Sequence, residues 1–356
     1  MGEINQLTIA ERLGISRATV SRCFTNHPGI NPVTRARVFQ VAAELGYAHL
    51  EKRTTGTSKG RARGTPAQTT FGVLICSEED EYFRGEYQNP SEQILAGVTE
   101  CAHLNDVKIE VHLINPKARS LHDPSFMRID KMRRRWSGVL LVYPFPDELL
   151  DQLSAILPMV SLVEQHRQIG FDCVDADHYK GISAAIDHLA DLGHRRIGFY
   201  TRRYPVEASW SYRRYAAFME KMVRLKLKVS SEDIINVFPA PELSDELSYD
   251  HAAKRTRDGV TAWVCAADHQ AYDLVRGLEK RGFDIPADVS VTGFDGIEPP
   301  AGCRRLGTTQ IPFREIGTMG TQRLVERVRK RFGSAQHVLI DCAFVPGETT
   351  APPPKP

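Results

Sequence analysis

Residues 13–22 of this 356-residue chain have the sequence LGISRATVSR. The glycine permits a tight turn, and Ser16 is a good N-cap for a helix that begins at Arg17. The apolar residues just before this stretch recur with helical spacing over about residues 6–13. Two short helices joined by a glycine turn are typical of a helix-turn-helix, whose second helix exposes a polar face.

A third helix completes the predicted head. Asn31-Pro32 combines a capping side chain with proline at the first helical position, which is a strong start signal. Apolar residues then follow with helical spacing as far as Leu45, and Gly46 suits the C-terminal end. The sequence therefore predicts an all-α domain over residues 1–47.

Charge is distributed unevenly along the chain. Residues 1–64 contain ten Lys/Arg and four Asp/Glu, a balance of +6, whereas the remaining 36 and 40 give −4. A basic head on a mildly acidic body favours a polyanionic partner for the head. Residues 48–70 have no apolar periodicity, and much of the segment consists of Thr, Gly, Ser, Lys and Arg, so they are predicted to form a flexible basic linker.

Residues 71–350 alternate short apolar runs with helical patterns, and the predicted class of this region is α/β. The strand candidates include residues 71–76, 107–114, 138–143, 159–163, 196–200, 234–238, 261–266 and 289–294, with helical stretches such as 91–104, 181–192, 214–225 and 269–281. Continuous apolar strands with intervening helices predict parallel sheets covered on both faces. The length favours two lobes with a ligand cleft between them, and the Pro-rich tail, residues 351–356, is predicted to be disordered.

Several motifs resemble the lactose-repressor (LacI/GalR) family of transcription regulators over nearly the whole chain. The matching stretches are GISRATVSR at 14–22, TRARV at 34–38, ELGY at 44–47, DHLADLGHRRIG at 187–198, DIPADVSVTGFD at 284–295, GTTQ at 307–310 and GETTAPP at 347–353. The resemblance implies a two-lobed, periplasmic-binding-protein-like core that is usually dimeric. It also implies two partners, double-stranded operator DNA and a small-molecule effector, such as a sugar or a nucleoside-like metabolite.

The resemblance assigns DNA-reading residues at the second helix. It places Arg17 and Ala18 against base edges in the major groove, with Arg22 close behind. An arginine can fork around guanine, and the alanine methyl can pack on a thymine methyl. The predicted phosphate contacts are Thr19, Ser21 and Asn26.

The linker departs from the family pattern. Family members commonly have a Pro-Asn-rich hinge helix that ends in a leucine, but this chain has no Pro-Asn pair after Tyr47, and Gly56 stands where the leucine is expected. Leu50 is an alternative wedge. The basic residues of the segment, Lys52 and Arg53 among them, are instead predicted to follow the DNA phosphates and to make the affinity salt-sensitive.

The resemblance also suggests effector-binding residues in the core. It aligns the family's arginine with Arg214 and its Asn-Asp pair with Ala267-Asp268, and a guanidinium and a carboxylate can fork around vicinal hydroxyls. Asp177, Trp210 and Tyr143 are further candidates. The alternatives are helix capping for Asp177 and Asp268, a surface position for Arg214, and core packing for the two aromatic residues.

Reaction chemistry and membrane insertion find little support in the sequence. There is no HExxH, P-loop or GxGxxG motif, and the seven scattered cysteines form no CxxC pair, so no catalytic residue, metal site or cofactor is predicted. No apolar run approaches a membrane span, and the N-terminus does not have the pattern of a secretory signal, which predicts a cytoplasmic protein. Two alternative interpretations of the sequence are a transport or chemotaxis binding protein, and an enzyme fused to a DNA-binding head.

Overall fold

The computed structural model describes residues 6–24, 30, 34, 38, 41, 69–78, 86–166, 170–204, 206–237, 242–329 and 334–355. The chain divides into two compact units, Met1–Ala67 and Gln68–Pro356. The first unit contains the predicted head and the second contains the predicted core. Almost all of the predicted linker, with Lys52 and Arg53, lies outside the described residues, as does Asn26.

In the head, helices α1 (Gln6–Leu13) and α2 (Arg17–Phe24) pack through Ile9, Ala10 and Val20, which are buried. The described residues of the predicted third helix, Thr34, Val38 and Val41, are helical, and the two valines join the same apolar cluster. An apolar cluster shared by three helical segments is what a small α-helical domain requires.

The core alternates strands and helices along the chain. Its elements are β1 (Thr70–Cys76), α3 (Pro90–Leu104), β2 (Lys108–Ile114), α4 (Pro124–Met127), α5 (Asp130–Arg133), β3 (Gly138–Val142), α6 (Asp147–Ser154), β4 (Met159–Leu162), β5 (Asp172–Ala176), α7 (His178–Asp191), β6 (Ile197–Tyr200), α8 (Ser209–Arg224), β7 (Ile234–Ile235), α9 (Asp245–Arg257), β8 (Ala262–Cys265), α10 (Asp268–Glu279), β9 (Ser290–Asp295), β10 (Gly307–Gln310), α11 (Phe313–Arg329), β11 (His337–Ile340) and β12 (Ala343–Val345).

The strands form two sheets of six, which define two lobes. The order is β11-β5-β4-β3-β1-β2 in lobe 1 and β12-β10-β9-β8-β6-β7 in lobe 2, and every pairing is parallel except that of β10 with β12. The central strands are buried along their whole length, as in β3 and β8, and apolar clusters cover both faces of each sheet. The parallel two-lobed α/β core predicted from the sequence is confirmed.

The chain passes between the lobes three times: from β5 to α7, from β10 to α11, and from β11 to β12. Helix α11 returns to lobe 1 and crosses α3 at very close range. A Cβ at Gly97 would lie 1.9 Å from the carbonyl oxygen of Arg314, and one at Gly317 would lie 2.1 Å from that of Ile94. Glycine at both positions therefore lets the two helix backbones touch.

Three predicted boundaries differ from the structure. Helix α8 begins at Ser209 rather than at 214, because a carboxylate from lobe 1 accepts the hydrogen bonds of its first amide. Strand β7 ends at Ile235, since Asn236 adopts a positive φ of 62°. The predicted disorder does not begin at residue 351, because the amide of Ala351 donates to Ser290 Oγ of lobe 2 at 3.0 Å.

Candidate functional site

The second helix of the head presents the predicted polar face to solvent. Gly14 has a φ of 65° in the turn, and Ser16 Oγ accepts a hydrogen bond from the amide of Thr19 at 3.1 Å, which caps α2. Arg17, Ala18 and Arg22 are exposed. These three residues therefore lie on the solvent-facing side of α2, outside the head's apolar cluster.

The two residues of α2 that are predicted to contact phosphates, Thr19 and Ser21, are less exposed. Ser21 is half-buried, and the Thr19 hydroxyl lies 2.9 Å from Ser16 Oγ, so part of its hydrogen-bonding capacity serves the cap. The DNA-reading roles of these residues remain predictions.

Within the core, a cleft of about 330 Å³ lies between the lobes at the carboxyl ends of strands from both sheets. Three non-glycine residues that line it, Tyr143, Val163 and Asp295, have positive φ values of 74°, 59° and 137°. Left-handed backbone at β-branched or bulky residues costs free energy and is concentrated at ligand sites. Three of the six non-glycine residues with positive φ in the described part of the chain therefore line the cleft.

Arg214 projects from α8 into this cleft and is almost fully buried. Its guanidinium carbon lies 3.9 Å from the ring centroid of Phe294 and 4.6 Å from that of Trp210. Nη1 donates to the carbonyl of Ala266 and, at 3.1 Å, to Asp295 Oδ1. Two aromatic faces and a carboxylate therefore hold the guanidinium at one angle.

A histidine connects Arg214 to the other lobe. Nε of Arg214 donates to His178 Nδ1 at 3.2 Å, and His178 Nε2 lies 3.1 Å from Asp175 Oδ2. Gln165, also in lobe 1, donates to the same Asp175 oxygen at 2.9 Å. Burial opposes ionisation of Asp175, but His178 and the hydrogen bonds outweigh it and hold the pKa of this carboxyl below its usual range.

Two carboxylates predicted for the effector site lie elsewhere. Asp268 is fully buried beneath the cleft and does not line it; its side chain accepts from the Thr308 hydroxyl and from the amides of Gly296 and Ile297. Asp177 caps α7 by accepting from the amide of Lys180 at 2.9 Å, and it does not line the cleft. In both cases the capping or structural alternative describes the observed contacts.

The two predicted aromatic residues do line the cleft. Trp210 stacks on Arg214 with one ring face. The Tyr143 hydroxyl accepts from the amide of Ser91 at 3.0 Å and donates to Asn89 at 2.8 Å, so it also holds the start of α3.

Sequence reasoning did not assign Asp175 and Asp295 to the effector site, although both line the cleft. Each lies in or at the end of a parallel strand, β5 or β9, and a polar residue at the carboxyl end of such a strand was the available signal. It also missed Tyr204 and His269, which line the cleft; the Tyr204 hydroxyl lies 2.7 Å from His269 Nε2. Burial, with the charges of Arg202 and Arg214, lowers the pKa of His269 to about 4, so this ring is neutral at pH 7.

A second contact between the lobes lies at the rim. The Glu164 carboxylate, which follows β4 and is buried, accepts from the amide of Ser209 at 3.2 Å through both oxygens. Burial raises the pKa of Glu164 to about 7. A further contact joins the lobes at Tyr87, which lines the cleft: its hydroxyl donates to Asp273 of α10 at 2.5 Å.

The described part of the chain contains no cluster of three or more His, Cys, Asp or Glu side chains arranged to hold a metal ion. Across the same residues, no helix combines the length and apolar character that crossing a bilayer demands.

Comparison with known proteins gives two family matches. Residues 8–49 match the model of bacterial regulatory proteins of the lacI family, and residues 186–350 match that of the periplasmic binding protein-like domain. The chain is 27% identical to the HTH-type transcriptional repressor MelR of Bacillus subtilis (strain 168) over 354 residues, which is 95% of this chain and 94% of MelR.

Solved structures share the fold. The complex of the transcriptional regulator CelR with cellobiose superposes with a TM-score of 0.63 at 20% identity, covering 98% of this chain and all of that one. The lac repressor dimer bound to operator and to the anti-inducer ONPF gives a TM-score of 0.62 at the same identity and coverage. At this sequence identity, both comparisons show a shared fold and nothing about the ligand of this chain.

Proposed function

We propose a role for each part of this chain, which belongs to the lacI family of bacterial regulatory proteins and is a DNA-binding transcription regulator with an effector-binding core. The head, residues 1–47, reads an operator, the segment 48–70 follows the phosphates, and the cleft of the core binds a sugar or a nucleoside-like metabolite. Effector binding changes operator affinity, and repression is the expected result.

The observation that supports the effector site best is the held guanidinium of Arg214. A side chain stacked between two rings and bonded to Asp295 is preorganised, so a ligand need not spend free energy on ordering it. Asp295 and Arg214 together offer an acceptor and donors to vicinal hydroxyls. Tyr143 and Trp210 add ring surfaces to the same cleft.

The coupling between ligand and lobes is proposed to pass through His178. Arg214 and Asp295 belong to lobe 2, whereas Asp175 belongs to lobe 1, and His178 joins them at the first crossover. A ligand that contacts Asp295 and Arg214 changes the free energy of this network in one lobe arrangement more than in another. A 100-fold change in operator affinity requires about 2.7 kcal/mol of such differential binding.

On the DNA side, we assign base reading to Arg17 and Ala18, with Arg22 next to them, and phosphate contacts to Ser21 and Thr19. The proposed contacts of Asn26, Lys52 and Arg53 rest on the sequence alone. A homodimer would place two recognition helices on half-sites about one helical turn apart.

Selection of random duplex DNA by the purified full-length protein, followed by sequencing, tests the operator function. A near-palindromic consensus is expected. A fixed pyrimidine–purine step at its centre would indicate DNA bending there, and a tolerant centre would support phosphate tracking by the linker. Failure to enrich any sequence, with and without a metabolite extract, would contradict the assignment of the head.

A further inference from the structure

Resting on the proposed function, we infer that the effector is an uncharged or cationic small molecule, because protein acceptors occupy the helix N-termini at the cleft and a carboxylate is already bonded to the guanidinium of Arg214. Phosphate esters and carboxylates are excluded by the same arrangement. The inference narrows the ligand class of the cleft and rests on three features.

The first feature is the occupation of helix N-termini, which otherwise attract anions. At α3, the Asn89 side chain accepts from the amide of Ser91 at 3.0 Å. At α8, the Glu164 carboxylate accepts from the amide of Ser209 at 3.2 Å. At α10, burial raises the pKa of the Asp295 carboxyl group, and the amide of Asp268, the first residue of the helix, is among the groups that counteract this rise. Two of these three groups are carboxyl groups of the protein, so a ligand anion would have to displace protein groups that already lie at the helix N-termini.

The fourth helix that begins at the cleft wall, α11, offers no free first amide. The N–H of Phe313, its first residue, donates to the carbonyl of Ile311 at 2.9 Å. Both residues line the cleft.

The second feature is the charge of the described lining residues. Arg214 is the only lysine or arginine among them, against the carboxylates Glu78, Asp175 and Asp295. Nε and Nη1 of Arg214 already serve His178, the Ala266 carbonyl and Asp295. A ligand phosphate would therefore meet one partly committed cation and a surplus of negative charge.

A further carboxylate, Asp268, lies under the floor of the cleft. Burial, together with the charge of Asp295, raises the pKa of Asp268, and burial raises the pKa of Asp295 above its usual range. Burial already makes it costly in free energy to ionise these two carboxyl groups, and an anionic ligand in the cleft would add to that cost.

The third feature is the aromatic lining of the cleft. Tyr143, Tyr204, Trp210 and Phe313 line the cleft, and the face of an aromatic ring carries partial negative charge. Such faces attract the C–H surface of a neutral ring or a cationic group, and they repel anions.

The experiment separates a small-molecule extract of the bacterium that encodes the chain, freed of macromolecules, on a strong anion-exchange resin at neutral pH. The flow-through contains neutral and cationic metabolites, and the eluate contains anionic ones. Each fraction is added at matched ionic strength to the full-length protein, and the Tm and the affinity for the selected operator are measured.

The inference predicts that the flow-through raises the Tm and changes operator affinity by about tenfold or more, while the eluate does neither. Activity confined to the eluate would overturn the inference and leave the proposed function standing. Activity in neither fraction would overturn the proposed effector function, and the inference with it.

A matched pair of variants shows that the response arises in the cleft. Arg214→Gln should abolish it, because the variant removes the guanidinium from the site. Arg224→Gln lies on the same helix, at an exposed position paired with Glu220, and should respond as the wild type does. A response of Arg214→Gln equal to that of wild type would place the binding outside this cleft and overturn the inference.

Discussion

His178 Nδ1 accepts a hydrogen bond from Arg214 Nε at 3.2 Å, and its Nε2 faces Asp175 Oδ2 at 3.1 Å. An arginine Nε can only donate, so Nδ1 carries no proton and Nε2 holds the proton that Asp175 accepts. The ring therefore has one tautomer and one orientation. Through it a carboxylate of lobe 1 orients the guanidinium of lobe 2.

The first prediction is that His178→Ala lowers the free energy of unfolding of the core by about 2–4 kcal/mol at pH 7, because Asp175 and Arg214 would lose a buried, charge-assisted partner. Urea denaturation followed by tryptophan fluorescence measures this, since all three tryptophans lie in the core. Tyr179→Phe, at the next and exposed residue, should leave stability unchanged. A loss below about 0.5 kcal/mol in His178→Ala would show that the network contributes little.

The second prediction concerns pH and Glu164, whose pKa of about 7 in the folded protein lies above the usual value of 4.5. Between these values the folded state holds a proton that the unfolded state has lost, so stability falls as pH rises from about 4.5 to 7. The contribution of this carboxyl is about 3 kcal/mol over that range. Glu164→Gln retains an acceptor for the amide of Ser209 and should remove this part of the pH dependence.

The difference in unfolding free energy between wild type and Glu164→Gln, measured from pH 5 to pH 8, isolates the effect from other titrating groups. Asp175 and Arg213 face the same carboxyl and are unchanged in both proteins. A difference that stays constant with pH would show that Glu164 is ionised throughout and would contradict the prediction.

The order of strands and helices was accessible from the sequence because parallel strands buried on both faces are continuous apolar runs. The patterns at 71–76 and 138–143 match β1 and β3 to within one residue at either end. The start of α8 was not accessible, because the carboxylate that caps it comes from Glu164, 45 residues earlier in the chain. Local patterns do not reveal a cap supplied by another lobe.

The residues of the cleft were likewise accessible from the sequence only in part. Arg214 was found through a motif, and the structure places it in the cleft. Asp268 was chosen through the family's Asn-Asp pair and Asp177 because it follows a strand-like run. Positions after strands serve both capping and binding, and only the packing of neighbouring elements decides between them. Asp295 was quoted within a motif but was not assigned, although it ends β9 at the edge where ligands bind.

The third prediction tests the contact between α3 and α11. Gly97→Ala and Gly317→Ala would each place a methyl group against the backbone of the facing helix, which cannot move as a side chain can. Overpacking of this kind costs about 1–3 kcal/mol, and the better helix propensity of alanine offsets up to about 1 kcal/mol. Thermal unfolding should show a net loss for both variants, whereas the exposed Ala96→Ser should change little. Unchanged Tm values would mean that the helices separate at no cost.

The fourth prediction concerns the head and the exposed Arg17, at the first position of α2. If its guanidinium forks around a guanine, Arg17→Ala should relax base preference at one position of each half-site and cost about 1–3 kcal/mol there. Selection and sequencing with the variant, followed by binding at two salt concentrations, measures both effects. An equal loss of affinity on all sequences, with a smaller salt dependence, would instead assign Arg17 to a phosphate, because counterion release carries no sequence information.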